Sequence, residues 1–179
     1  MSLIVPDNWI YTTAQLDLHV KQKTTGHLSN KSSNMKGVLY LAILISVIIG
    51  THGKRYAKCE LLKRIKDTKL DVYSQHSAAN WVCLAKHESD YSTTAINDNG
   101  PSRDYGIFQI NSKWWCDDGK TPGSKNACGI SCHRLLDDNI LDDIECAKRV
   151  VSDPNGMGAW VAWRKKCKGK DLSPYTAGC

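Results

Sequence analysis

The stretch "SAANWVCLAKHESDYSTTAINDNGPSRDYGIFQINS" (Ser77–Ser112) changes character halfway along. Its first part has a helical rhythm. Ser77 is a good N-cap, and helix formers follow it. Trp81, Leu84 and Ala85 recur at helical spacing, and Glu88 falls in the same series. The second part is rich in Thr, Asn, Asp and Gly and alternates around Ile107, Phe108 and Ile110. That pattern predicts a small antiparallel sheet with a turn at Asn99-Gly100-Pro101.

Glu88 is the odd member of its stripe. If the stripe faces the core, Glu88 loses water and lies near the negative end of the helix dipole. Both effects favour the protonated carboxyl. The alternative is a frayed last turn with Glu88 in solvent. Sixteen residues on, Asp104 lies in the predicted sheet among Asn97, Asn99, Ser102, Gln109 and Asn111. Those polar neighbours can hydrogen-bond its ionised form. Two carboxyls held in different protonation states suit glycoside hydrolysis, which needs an acid for the leaving oxygen and an anion for the oxocarbenium-like centre. Acidic pairs are common, so spacing alone carries little.

Working outward, "AKCELLKRIKD" (57–67) reads as an amphipathic helix with Cys59, Leu62 and Ile65 or Lys66 on successive turns. "ILDDIECAKRVVSD" (140–153) predicts another, with Ile140, Ile144, Ala147 and Val151 as its stripe and Pro154 as its stop. "GAWVAWRKKC" (158–167) begins a shorter one. Between them, residues 117–132 are loop-rich, with Gly119, Pro122, Gly123 and Gly129 as breakers. There is no internal repeat. The expectation is an α+β fold: packed helices with a small sheet and a crosslinked loop region to one side.

Eight cysteines, none before residue 59, suggest four disulfides and an oxidising compartment. Zinc is the competing reading, but no C-x2-C pair occurs, and "CGISCH" has the wrong spacing for haem attachment. "MKGVLYLAILISVIIGTHG" (35–53) has the basic, apolar and small-polar order of a signal peptide. Its apolar run, Val38 to Ile49, is short of the roughly 20 residues of a membrane span. Cleavage after Gly53 leaves Lys54 first. Residues 1–34 fit poorly before such a signal. Either translation starts at Met35 or the run is a short signal anchor; the first is the expectation. The sequon at Asn30 matters only if that segment reaches the lumen.

The chain carries a net charge of +6. Four basic and two acidic residues precede Lys54, so the remainder carries +4. Such a secreted protein is attracted to anionic surfaces such as bacterial envelopes. The basic residues are dispersed apart from "RKKCKGK" (164–170), and no nucleic-acid motif is present.

Several stretches together, "KCEL", "NWVCLAKHES", "DYGIFQINSKWWCDDGKTPGSKNAC", "CAKRVVSDPNGMGAWVAWRKKC" and "KGKDL", resemble the c-type lysozyme and α-lactalbumin family over essentially all of 54–179. The resemblance implies a helical subdomain and a small antiparallel sheet with an active-site cleft between them. It implies Glu88 as general acid and Asp104 as nucleophile or electrostatic stabiliser. Trp160 would desolvate the acid. Asn99, Gln109 and Asn111 would be polar cleft residues near Asp104. Trp114 and Trp115 would form an aromatic wall for sugar rings, with Asp153 and Ala159 as further sugar contacts. It implies the pairs Cys59–Cys179, Cys83–Cys167, Cys116–Cys132 and Cys128–Cys146. The implied substrate is peptidoglycan or chito-oligosaccharide, and the implied state a secreted monomer. The rival readings are a non-catalytic binding module, α-lactalbumin-like or sperm-surface-like, and a cationic protein that disrupts membranes without catalysis.

Three departures stand out. The turn before Asp104 is shorter than the family's and contains Pro101. Arg103 replaces a small polar neighbour, and a cation there favours an ionised Asp104. His87 stands where an aromatic is usual and could titrate near the working pH.

"RLLDDNILDDI" (134–144) gathers Asp137, Asp138, Asp142 and Asp143 around Asn139. Acidic residues at a helix N-terminus are stabilising in themselves. Crowded carboxylates also repel unless a cation offsets them, and calcium takes carboxylate and carbonyl oxygens. The stretch lacks the EF-hand order. It resembles the calcium loop of α-lactalbumin and the calcium-binding lysozymes. That implies one structural Ca2+ held by the side chains of Asp137, Asp142 and Asp143 and the carbonyls of Arg134 and Asn139.

Overall fold

A computed structural model describes residues 53–179 of the chain. The extension at 1–34, and the signal-like segment up to His52, lie outside the described residues. Helix α1 (Lys58–Asp67) buries Leu61, Leu62 and Ile65. A short helix α2 (Leu70–Ser74) follows, with left-handed Lys69 and Gln75 at its two ends and Leu70 buried. It was not expected from the sequence.

Helix α3 (Ala78–Ser89) is the central element. It buries Ala78, Trp81, Val82, Cys83, Leu84 and Ala85. Ser77 occupies the N-cap position, but its hydroxyl caps no backbone amide. Instead it accepts from Asn80 Nδ2 at 3.0 Å. The helix stops at Asp90, in the left-handed region at φ 51°. The Arg55 guanidinium donates to the Asp90 carboxylate and pins that end of the helix.

The sheet has three antiparallel strands in the order β1 (Ile96–Asp98), β2 (Arg103–Tyr105) and β3 (Ile110–Asn111). Register pairs Asn97 with Asp104 and Asp98 with Arg103 on one side. On the other, Asp104 faces Asn111. The expected turn is present: the Asn99 amide donates to the Ser102 carbonyl at 2.9 Å. Ile107 and Phe108, expected to alternate within a strand, instead lie in the turn between β2 and β3, and both are fully buried. The core takes both side chains at once, which strand alternation would forbid.

Trp81 of α3 meets Phe108 edge-on at 5.5 Å and Trp160 at 5.7 Å. Trp160 Nε1 donates to the Phe108 carbonyl at 2.7 Å. This aromatic cluster joins the helices to the sheet.

Helix α4 (Leu141–Val151) buries Ile144, Cys146, Ala147 and Val150. It ends at Val151, with Ser152 as its C-cap, short of Pro154, which disfavours helical backbone at the residue before it. A 3-10 turn (Gly156–Ala159) and helix α5 (Val161–Lys166) complete the expected final segment. Disulfides join Cys59 to Cys179, Cys83 to Cys167, Cys116 to Cys132 and Cys128 to Cys146. Each bridge can contribute about 2–4 kcal/mol. Among the described residues, no helix is long and apolar enough to cross a membrane.

Candidate active site

A cleft of about 1050 Å³ runs between α3, the sheet, α4 and α5. That exceeds the usual drug-sized pocket and suits an extended ligand. Glu88 and Asp104 both line it, as do Asn99, Gln109, Asn111, Trp114, Trp115, Asp153, Ala159 and Trp160.

Glu88 sits in the last turn of α3, where the apolar stripe meets the cleft. It is neither in the core nor in free solvent, but half-buried. Burial pushes its carboxyl up to about 7. The backbone amide of Ala162 opposes the shift, and the charge of Asp104 adds to it. A carboxyl in this state can hold a proton at neutral pH and give it up on demand.

Asp104 has a different setting. Its Oδ2 accepts from Asn99 Nδ2 at 2.7 Å, and its Oδ1 from Asn111 Nδ2 at 2.6 Å. One donor on each oxygen is an arrangement for a carboxylate, which only accepts. Both amides are themselves fixed. Asn99 Oδ1 accepts from Asn97 Nδ2 at 2.9 Å, and Asn111 Oδ1 accepts from the Lys113 amide at 2.9 Å.

Gln109 lines the cleft with its amide nitrogen already committed. Nε2 donates to the carbonyls of Ala95 at 3.1 Å and Gly106 at 2.9 Å. It fastens β1 to the β2–β3 turn. Trp114 is 53% exposed, an open aromatic face on the cleft wall. Trp115 is half-buried and carries the Arg149 guanidinium 5.7 Å from its ring centre. Arg149 also lies 3.8 Å from Asp153, so these three residues form one group on the cleft rim.

His87 also lines the cleft. Its Nε2 pairs with the Tyr175 hydroxyl at 2.9 Å. Burial, then the charges of Lys166 and Lys86, push its pKa below the ordinary histidine value. The neutral ring is therefore favoured.

Sequence reading missed Ala162, whose contribution is a backbone amide with no side-chain signature. It also missed the cationic rim of Lys113, Lys125, Arg149, Lys165 and Lys166. Lys165 and Lys166 belong to the cluster at 164–170, but Lys113, Lys125 and Arg149 lie apart in the chain, which hid their convergence on it.

The acidic loop lies away from the cleft. Asp143 is fully buried, and neither of its carboxylate oxygens has a hydrogen-bond partner. Burial pushes its carboxyl well up, and nearby Asp137 and Asp142 add repulsion. An orphaned buried carboxylate beside two others fits a hard cation in kind. Gly106 packs against it: a Cβ there would meet Leu135 O at 2.3 Å and Asp143 Oδ1 at 2.5 Å. Among the described residues, side chains alone form no cage, since no three His, Cys, Asp or Glu gather to hold an ion. Arg134 Nε occupies Asp142 Oδ2 at 2.7 Å.

The profile of the "C-type lysozyme/alpha-lactalbumin family" matches residues 54–179. "Lysozyme C-2" of Sus scrofa is 57% identical over 145 residues, covering 81% of this chain and 99% of the relative. "Lysozyme C" of Papio anubis is 57% identical over 148 residues, with 81% and 99% covered. "Lysozyme C-1" of Sus scrofa is 60% identical over 126 residues, with 70% and 98% covered. The arrangement of helices, three-stranded sheet and four disulfides around one cleft is that of these relatives' family, and the chain belongs to the C-type lysozyme/alpha-lactalbumin family.

Proposed function

We propose that this chain, a lysozyme-type glycoside hydrolase, is a secreted bacteriolytic enzyme. It cleaves the β-1,4 bond between N-acetylmuramic acid and N-acetylglucosamine in peptidoglycan, with chito-oligosaccharides as simpler substrates. The observation that carries this reading is the contrast between the two carboxyls on one cleft. Glu88 is pushed up to about 7 by burial, while Asp104 accepts a donor on each oxygen.

Glu88 gives its proton to the glycosidic oxygen as the bond to the anomeric carbon breaks. Asp104 stabilises or attacks the cationic carbon from the other side. The Glu88 carboxylate then takes a proton from the incoming water and is restored. The sugar keeps its anomeric configuration. Trp114 offers a face to a sugar ring, Asn99 and Asn111 hold Asp104, and Trp160 shields the acid. The cationic rim suits the anionic envelope of bacteria.

Secretion is supported by the signal-like run before Lys54 and by the four disulfides. A structural calcium belongs to the same reading. Asp137, Asp142 and Asp143 would hold it with the carbonyls of Arg134 and Asn139, and the ion would supply the positive charge that Asp143 lacks.

The test is clearing of a Gram-positive cell-wall suspension by the purified protein beside Glu88→Gln, with calcium present. The wild type should clear, and the variant should be at least about 100-fold slower, the usual worth of a general acid. A folded wild type that does not clear would favour a binding module. Equal killing by both would favour membrane disruption by charge.

A further inference from the structure

Arg103 is unexplained by the reaction, yet it stands next to Asp104 in β2. Strand alternation turns Arg103 and Tyr105 to the face opposite Asp104. Both reach one buried carboxylate in the following loop. The Tyr105 hydroxyl donates to Asp118 Oδ2 at 3.0 Å, and an Arg103 terminal nitrogen lies 3.8 Å from the same oxygen. Asp118 is firmly held. Its Oδ1 accepts the amides of Lys120 at 2.9 Å and Thr121 at 2.7 Å. Its Oδ2 also accepts the Thr121 hydroxyl at 3.0 Å.

The other end of Arg103 reaches across the sheet. Its Nε donates to Asp98 Oδ2 at 3.0 Å, and Asp98 is its direct cross-strand partner. The remaining oxygen of Asp98 accepts the Gly100 amide at 2.8 Å and so shapes the turn. β1 is an edge strand with all three residues exposed. Asn99, which bonds Asp104, hangs at its end. Nothing apolar buries this strand tip; the Asp98–Arg103 pair ties it to the anchored loop.

We propose that Arg103 is a positioning residue. By linking Asp98 in the edge strand to Asp118 in the loop, it holds the short Asn99–Ser102 turn so that Asn99 stays aimed at Asp104. The charged groups around this turn are Asp98, Arg103, Asp104 and Asp118, with Glu88 across the cleft. The inference rests on the proposed glycosidase reading for its kinetic arm only. The Asp98–Arg103 pair lies at the surface and adds little to stability, so its loss in Asp98→Asn should appear in turnover and leave melting almost unchanged.

The experiment compares the wild type with Arg103→Thr, Asp98→Asn and Arg103→Lys on a soluble chito-oligosaccharide. Misaiming a group at the reacting centre lowers kcat more than binding. Arg103→Thr and Asp98→Asn should each lower kcat about tenfold, with KM within about twofold of wild type. Arg103→Lys, which keeps a cation for Asp98, should recover most of the loss. Asp98→Asn keeps Arg103 and its contact with Asp118 and removes only the charge that Arg103 holds in β1, so wild-type kcat in that variant would overturn the proposal. A change in KM alone would also overturn it, since that marks a sugar contact.

A second readout needs no activity. The side-chain amide protons of Asn99 should exchange slowly with water in the wild type and fast in both Arg103→Thr and Asp98→Asn, by NMR. Unchanged exchange in the two variants would overturn the proposal. An inactive wild type would sink the glycosidase reading and leave this arm to decide the role of Arg103.

Discussion

Glu88 shows how a residue's place in a helical series sets its chemistry. Trp81, Leu84 and Ala85 are buried on α3, and Glu88 continues their line into the cleft. In the fold its carboxyl is pushed up to about 7 by burial, against an ordinary value of 4.5. As pH rises, the unfolded chain therefore loses this proton first, and stability falls between those two values. Below pH 4.5 both states are protonated, and nothing is lost. Glu88→Gln cannot ionise. It should melt several degrees above wild type at pH 8 and within about a degree of it at pH 4. Equal melting at both pH values would show that burial of Glu88 imposes no cost. Helical periodicity drew attention to Glu88 but left a frayed, solvent-facing last turn open; only the family resemblance implied its role as the acid. The Ala162 backbone amide that opposes its shift left no trace in the sequence, since any residue but proline carries that group.

At the scale of elements, the sheet and the acidic loop behave differently. The turn at Asn99–Ser102 was legible from its Asn, Gly and Pro. Helix α2 was not, because left-handed Lys69 and Gln75 close it where glycine or asparagine would have marked the ends. The buried Ser112, Asp118 and Thr121 were hidden as well. Their segment reads as polar loop, and only the fold turns that polarity inward, where each group finds partners. Asp143 is the contrary case, a buried carboxylate with none. If the loop holds calcium, an ion at a hundred times its Kd adds about 2.7 kcal/mol. Excess chelator should then lower the melting temperature of the wild type by several degrees. Asp143→Asn, which removes a carboxylate ligand, should lose that response. An unchanged wild-type melting curve in chelator would remove calcium from the account and leave Arg134 as the cation that answers Asp142.

For the molecule as a whole, the fold was legible because its strongest constraints are local in type. Helical stripes, a turn and evenly numbered cysteines each narrow the choice. Which cysteines pair was not legible from spacing, which leaves many connectivities open; the family resemblance implied all four pairs, and the structure forms them, with Cys59 and Cys179 meeting across 120 residues. The site follows the same division. Its carboxyls and tryptophans are conspicuous residue types. The cleft that gives them meaning depends on the Trp81–Phe108–Trp160 cluster drawing helices and sheet together. This assembly, and not the local sequence, raises the Glu88 carboxyl into the neutral range. The most direct measurement is the pH titration of the Glu88 carboxyl carbon by NMR, in the folded protein and again in urea. A midpoint near 7 is expected in the fold, with a return to about 4.5 on unfolding. A midpoint near 4.5 in the folded protein would contradict it, and with it the role of Glu88 as the acid.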